Sequence, residues 1–313
     1  MGGAWLALAG VVAVGLAGGA ARVTPAEPMG PAQVPPVGVV SGPLPGTGLI
    51  GPPAGALGLP LTPPGGLMTS RPAQSDVAYG ADPRQRLDLY LPATRGGAPV
   101  VLFVHGGGWS IGDKAQFGWV GEQLAAQGVV AALANYRLSP AVQHPEHTKD
   151  VARAAAWLYR HAASYGGEPT RLYLVGHSAG AHLAALVALD RSYLVAEGLT
   201  PAIVRGVVGI AGPTYDLDAS YAQTPIAPLL YAAFGPDPTR WAQAAPVRYV
   251  QPYAPGFLLI YGTADTQALP LSTQALAAAL QRSGVPVQVE PLAGQDHFGV
   301  LGAALAEVRR FAQ

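Results

Sequence analysis

The chain has 313 residues, room for one large α/β domain or two small ones, and half of them are hydrophobic, enough for a sizeable core. Eighteen basic side chains balance eighteen acidic ones and no basic block stands out, which argues against nucleic acid or an anionic membrane surface as a partner. There is no cysteine, so disulfides, a thiol nucleophile, thiolate-ligated zinc and a lipid-modified N-terminal cysteine are excluded.

Residues 1–21 carry an apolar run from Trp5 to Ala17, then Gly18, Gly19, Ala20 and Ala21, with Arg22 as the first charged side chain. This is the pattern of an export signal, without a basic residue ahead of the run. The run is also almost long enough to serve as an uncleaved membrane anchor. The expected location is therefore periplasmic, secreted or N-terminally membrane-anchored. Residues 22–72 are rich in proline and glycine (Pro35-Pro36, Pro52-Pro53, Pro63-Pro64, Gly65-Gly66) and hold no sustained period. Such a segment buries too little apolar surface to offset its ordering entropy, so a disordered tether is expected.

Residues 73–313 read as the globular domain. Leu87, Leu89 and Leu91 alternate with Arg86, Asp88 and Tyr90, which predicts a half-buried strand. Val100–Val104 and Val129–Ala134 are continuous apolar runs, as in the middle of a parallel sheet. A helix is predicted to start at Pro145-Glu146, with Val151, Ala155, Leu158 and Ala162 on its inner face. A short strand at Arg171–Val175 leads to a helix over Ala181–Leu189. A strand at Val207–Ile210 precedes a long irregular stretch, Ala211–Tyr253, expected to form a small cap. A strand at Phe257–Tyr261, a helix near Leu271–Arg282, a strand over Val285–Glu290 and a helix over Val300–Phe311 complete the pattern. Strands alternating with helices mean a mostly parallel sheet with helices on both faces.

Between the strand at Arg171–Val175 and its helix stands Gly176-His177-Ser178-Ala179-Gly180. A Gly-x-Ser-x-Gly turn in that context lifts a serine hydroxyl above the sheet. A free hydroxyl is a weak nucleophile and needs a base, which needs an orienting acid. His182 and His297 are the histidines after Ser178, and His182 is inside the following helix. His297 is therefore the candidate base. Asp265, just past the strand at Phe257–Tyr261, is the candidate acid, ahead of Asp296, Asp216 and Asp218. After the strand Val100–Val104 come His105-Gly106-Gly107-Gly108-Trp109. The amides of Gly107, Gly108 and Ala179 are the candidate oxyanion donors. His105 is read as a brace for this loop, and Trp109 as a substrate-binding wall of the acyl site or as packing. His144 and His147 are read as solvated helix-start residues. No metal site, phosphate loop or dinucleotide fingerprint is found, and no cofactor is expected.

Together these blocks resemble the carboxylesterase branch of the α/β-hydrolases related to hormone-sensitive lipase and to arylformamidases (kynurenine formamidases). The resemblance rests on Gln85–Pro92, His105–Trp109, Asn135-Tyr136-Arg137-Leu138-Ser139-Pro140 and Tyr165-Gly166-Gly167. Gly176–Gly180, Gly262–Asp265 and Asp296-His297-Phe298 complete it. It implies the α/β-hydrolase fold and cofactor-free hydrolysis of a small-molecule ester, with short acyl chains expected, through Ser178, Asp265 and His297. An amide hydrolase of the formamidase type and a catalytically dead binding protein on the same fold are the alternatives. The oligomeric state is left open.

Overall fold

The computed structural model describes residues 72–93, 96–265 and 270–313. The expected signal or anchor at 1–21, and the tether apart from its last residue, lie outside the described residues. Eight strands form one sheet: β1 (Gln74–Ala78), β2 (Arg86–Tyr90), β3 (Ala98–Val104), β4 (Val130–Ala134), β5 (Gly167–His177), β6 (Val204–Ile210), β7 (Gly256–Gly262) and β8 (Val287–Leu292). Their spatial order is β1-β2-β4-β3-β5-β6-β7-β8. The β1–β2 and β2–β4 pairs are antiparallel and every later pair is parallel.

The helices are α1 (Gly118–Ala126), α2 (Glu146–His161), α3 (Ala179–Leu189), α4 (Ser192–Ala196), α5 (Ala227–Phe234), α6 (Pro270–Arg282) and α7 (Gly299–Ala312). The two faces of the sheet carry separate cores, which is why β3 reads as an unbroken apolar run. Its Val101 and Phe103 join the core under α1 and α7, with Val120, Leu124, Leu301 and Leu305. Its Val100, Leu102 and Val104 join the core under α2, α3 and α6, with Val151, Leu158, Leu183 and Leu276. Each fully buried leucine or valine contributes about 1.5–3 kcal/mol relative to exposure. Every residue of α3 is buried, so this helix shows no polar face at all.

Four readings shift. β2 is buried on both faces rather than one: Asp88 is covered and pairs with Lys114 Nζ at 2.9 Å, and Tyr90 packs where Gly121 leaves room. β8 begins two residues later than predicted and runs on to Leu292, because its pairing with β7 continues to Gly262. Strand β1 begins just past the tether boundary, and α1 and α4 were not predicted. The 211–253 stretch is less irregular than predicted. It contains α5 and the short 3-10 turns Ala219–Gln223, Pro238–Ala244 and Pro246–Tyr249. Among the described residues, no helix is long and apolar enough to cross a membrane.

Candidate active site

The carboxyl ends of the parallel strands form one edge of the sheet, where ligand sites of open α/β folds lie. β5 delivers His177 and Ser178 to that edge, and α3 leaves it immediately. Ser178 bridges the two with φ 54° and ψ −123°, a backbone conformation that side chains rarely adopt. Its amide donates to Ile210 O at 2.9 Å, which secures the turn against β6. The flanking glycines are sterically required. A methyl group at Gly176 would lie 2.2 Å from Gly180 O, and one at Gly180 would lie 2.1 Å from Val104 O. Trp109 and Ala211 also have positive φ at this edge. Such strain persists where the surroundings over-determine the backbone, as at functional sites.

Ser178, His297 and Asp265 come together in line. Ser178 Oγ stands 3.0 Å from His297 Nε2, and His297 Nδ1 stands 2.9 Å from Asp265 Oδ2. The carboxylate can only accept, so Nδ1 carries the hydrogen and Nε2 presents its lone pair to the hydroxyl. Asp265 and His297 are buried, while Ser178 is half-buried. The rival carboxylates are occupied elsewhere. Asp296 Oδ1 accepts from the amides of Phe298 and Gly299 at 3.1 and 2.7 Å, shaping the entry to α7. Asp216 accepts from Tyr221 Oη at 2.6 Å, and Asp218 accepts from Ser220 N at 2.8 Å.

The oxyanion candidates flank the serine. Ala179 opens α3, and the first amides of a helix have no partner within it. Gly107 takes φ +111°, and a side chain there would strike Ile111 O at 2.1 Å. That conformation folds the loop back so that Ser110 N and Ile111 N both donate to Gly107 O. Three groups from the body hold the loop: Arg84 Nη2 donates to Gly112 O at 2.8 Å, Tyr136 Oη to His105 O at 3.2 Å and Ser139 N to Trp109 O at 2.8 Å. Behind them Arg137 forks onto the fully buried Asp150, which also accepts from Gln85 Nε2. Sequence reasoning assigned none of these bracing roles. Gln85, Tyr136, Arg137 and Ser139 lie in the blocks Gln85–Pro92 and Asn135–Pro140, which only the resemblance marks, whereas Arg84 and Asp150 lie outside them.

His105 braces the loop as expected: its Nδ1–H donates to Gly106 O at 2.7 Å, and its ring stacks on Tyr136. Burial pushes its imidazole down to about 4. Trp109 is 2% exposed and packs edge-on against His182 and Phe234, the packing alternative of its two readings. His182 donates from Nδ1 towards Thr214 O and is kept away from the triad. The reading of His144 and His147 as solvated is corrected. His147 is buried with Nε2 3.0 Å from Ser139 Oγ, and His144 packs on Phe234. Burial pushes both down to about 4, because α5 and the loop after β4 cover them. Among the described residues, no group of three or more histidine or acidic side chains is placed to hold a metal ion.

Known proteins resemble this chain in sequence and fold. Esterase LipQ of Mycobacterium tuberculosis is 33% identical over 232 residues, covering 67% of this chain and 53% of LipQ. Isoprenylcysteine alpha-carbonyl methylesterase ICME of Arabidopsis thaliana is 36% identical over 148 residues, covering 46% of this chain and 35% of ICME. The crystal structure of esterase B from Lactobacillus rhamnosis superposes with a TM-score of 0.64 at 25% identity, covering 76% of this chain and 84% of that one. The chain spans about half the length of the curated relatives it matches. Residues 87–280, from β2 to within α6, match the BD-FAE family model, and the chain belongs to that family, on the α/β-hydrolase fold.

Proposed function

We propose that this protein is a serine hydrolase of carboxylic esters, acting on small molecules with short acyl chains. The carrying observation is the line Ser178 Oγ–His297 Nε2–Nδ1–Asp265 Oδ2, with spacings of 3.0 and 2.9 Å. His297 takes the hydroxyl proton as Ser178 Oγ bonds to the ester carbonyl carbon. Asp265 holds the imidazolium that results. The carbonyl oxygen becomes an oxyanion facing the amides of Ala179, Gly107 and Gly108. Collapse of the tetrahedral centre breaks the bond to the alcohol, which leaves with the proton from His297. Water then attacks the acyl-enzyme by the same route in reverse.

The names of the relatives support an ester as the substrate: LipQ and the Lactobacillus protein are called esterases, and ICME a methylesterase. Leu229 of α5 supports a short acyl group. A methyl group on Gly108 would lie 2.8 Å from Leu229 Cδ1, so the cap closes directly over the oxyanion loop. Export through the N-terminal segment belongs to the same proposal, and N-terminal sequencing of the mature protein tests it. The chemistry is tested with p-nitrophenyl acetate, butyrate and octanoate. Acetate and butyrate turnover, lost in Ser178→Ala together with fluorophosphonate labelling, is the expected result. A Ser178→Ala protein with undiminished turnover would overturn it.

A further inference from the structure

The central residue between Gly176 and Ser178 makes a contact that the triad chemistry does not use. His177 is fully buried at the end of β5, and its Nε2 lies 2.8 Å from the main-chain oxygen of His297. A carbonyl oxygen only accepts, so His177 is the Nε2–H tautomer and donates this bond. The two imidazoles also touch, with centroids 4.9 Å apart. Phe298 packs on both rings, at 6.0 Å from His177 and 5.2 Å from His297.

The topology explains why such a bond matters. Ser178 leaves the sheet from β5, whereas His297 leaves it after β8 at the edge. The base loop must therefore reach back over the ends of β7 and β6 to bring Nε2 to the serine. Next to β7 it is tied down through Ala264 N to Gln295 O at 3.0 Å and through Gly294 N to Thr263 Oγ1 at 2.9 Å. Those bonds fix the loop to the acid. The bond from His177 fixes it to the nucleophile, because His177 and Ser178 are consecutive.

We propose that His177 is a positioning residue: by donating from Nε2 to the carbonyl of His297 it sets the distance between base and nucleophile. This rests on the triad reading above. His177 does not touch the reacting atoms and moves no proton. Burial, followed by the neighbouring His297, pushes its imidazole down to about 3, so it stays neutral while His297 takes up a proton beside it. A charged ring in that place would oppose the imidazolium that the reaction forms. Loss of the donor leaves the triad residues in place but lets the base drift. A misplacement of about 1 Å costs on the order of 10²-fold in rate.

Three variants test this. His177→Phe keeps the ring and removes the donor. His177→Gln places an amide donor near the position of Nε2, and His177→Asn places one near Nδ1, short of the carbonyl. Phe and Asn are expected to lower kcat roughly 10- to 100-fold with KM within about twofold. Fluorophosphonate labelling of Ser178 should slow by the same factor, and Gln should restore both to within a few-fold. A merely structural role would lower Tm and leave kcat per folded molecule unchanged in all three, which overturns the proposal. If Phe and Asn fail to fold, the wild-type protein still decides. Nitrogen-15 NMR must show His177 as the neutral Nε2–H tautomer near pH 7, and an Nδ1–H or cationic ring would refute it. A Ser178→Ala control separates the two claims: an active control sinks the triad, whereas an inert control beside a fully active His177→Phe sinks only the role of His177.

Discussion

The loop proposed to receive negative charge and the loop proposed to carry the base are held in different ways. The oxyanion loop, 105–112, is bonded to groups from the body of the domain: Arg84, Tyr136 and Ser139. Next to Tyr136 in the chain, Arg137 forks onto the buried Asp150. The base loop, 293–298, bonds mainly to its neighbour the acid loop and lies over β7 and the half-exposed edge strand β8. The difference follows from the chemistry. Oxyanion donors work because they are aimed before the reaction begins, so their loop is anchored in the core. The base must stay in line with both the acid and the serine: its loop and the acid loop hold each other, and His177 adds the tie to the serine.

The comparison can be broken from either side. On the base side, Asp265→Asn leaves the hydrogen bond to His297 possible but invites the wrong tautomer. We expect kcat to fall about 10⁴-fold with the fold intact, read by ester turnover and circular dichroism. A loss below tenfold would mean that another carboxylate orients His297. On the oxyanion side, Gly107→Ala forces a methyl group against Ile111 O and disfavours φ +111°. The expected loss in kcat is about 10²–10³-fold with little change in KM. Wild-type turnover in that variant would move the donors off this loop.

Acid sharpens the contrast through stability rather than rate. His105, His144, His147, His177 and His182 are all held neutral by burial, with values of about 3 to 4. Their unfolded values lie near 6.5, so the unfolded chain binds protons that the folded one refuses. The stability they give is complete above about pH 6.5 and is lost as pH falls towards about 4, and towards about 3 for His177 and His182. Each histidine contributes about 1.4 kcal/mol per pH unit inside that window. His105 opens the oxyanion loop, His144 and His182 pack on Phe234 of α5, and His147 bonds to Ser139, which holds that loop. Thermal unfolding scanned from pH 7 to 4 should show Tm falling steeply below pH 6, and a flat Tm down to pH 5 would contradict the burial. The smallest of these effects is Tyr136→Phe, which removes one neutral bond to His105 O. It should cost about 1 kcal/mol in denaturant unfolding and only a few-fold in kcat.

Much of the site was legible because its backbone demands are local. The elbow needs glycine at 176 and 180 for steric reasons, and a strand before and a helix after it are visible in residue periodicity. Chain order then singled out His297, and strand-end placement singled out Asp265. The bracing was not legible. Arg84, Tyr136, Arg137 and Asp150 are separated by up to 66 residues in the chain and meet only through the β2–β4–β3 pairing. Periodicity says which side of a strand is apolar, not which polar group awaits its partner across the sheet. The same limit explains His144 and His147. A Pro-Glu helix start suggests solvent, but α5 folds over from a distant cap segment onto His144, and the loop after β4 covers His147. α1 was missed because its sequence, Gly118-Trp119-Val120-Gly121, opens with two glycines, which are poor helix formers.

One consequence follows from the way α3 begins at Ser178 inside the core. Aligned peptide dipoles give a helix the equivalent of about half a positive charge at its first turn. Here that end adjoins Ser178, where the proposed reaction would form its oxyanion, and the helix behind it is wholly shielded from water. Peptide dipoles do not titrate, and mobile ions screen buried ones poorly. In the proposed reaction the peptide backbone thus adds to the attraction that the His297 imidazolium exerts on the developing anion. The turnover number should therefore hardly change between dilute buffer and concentrated salt, even where salt alters how substrate is gathered at the surface.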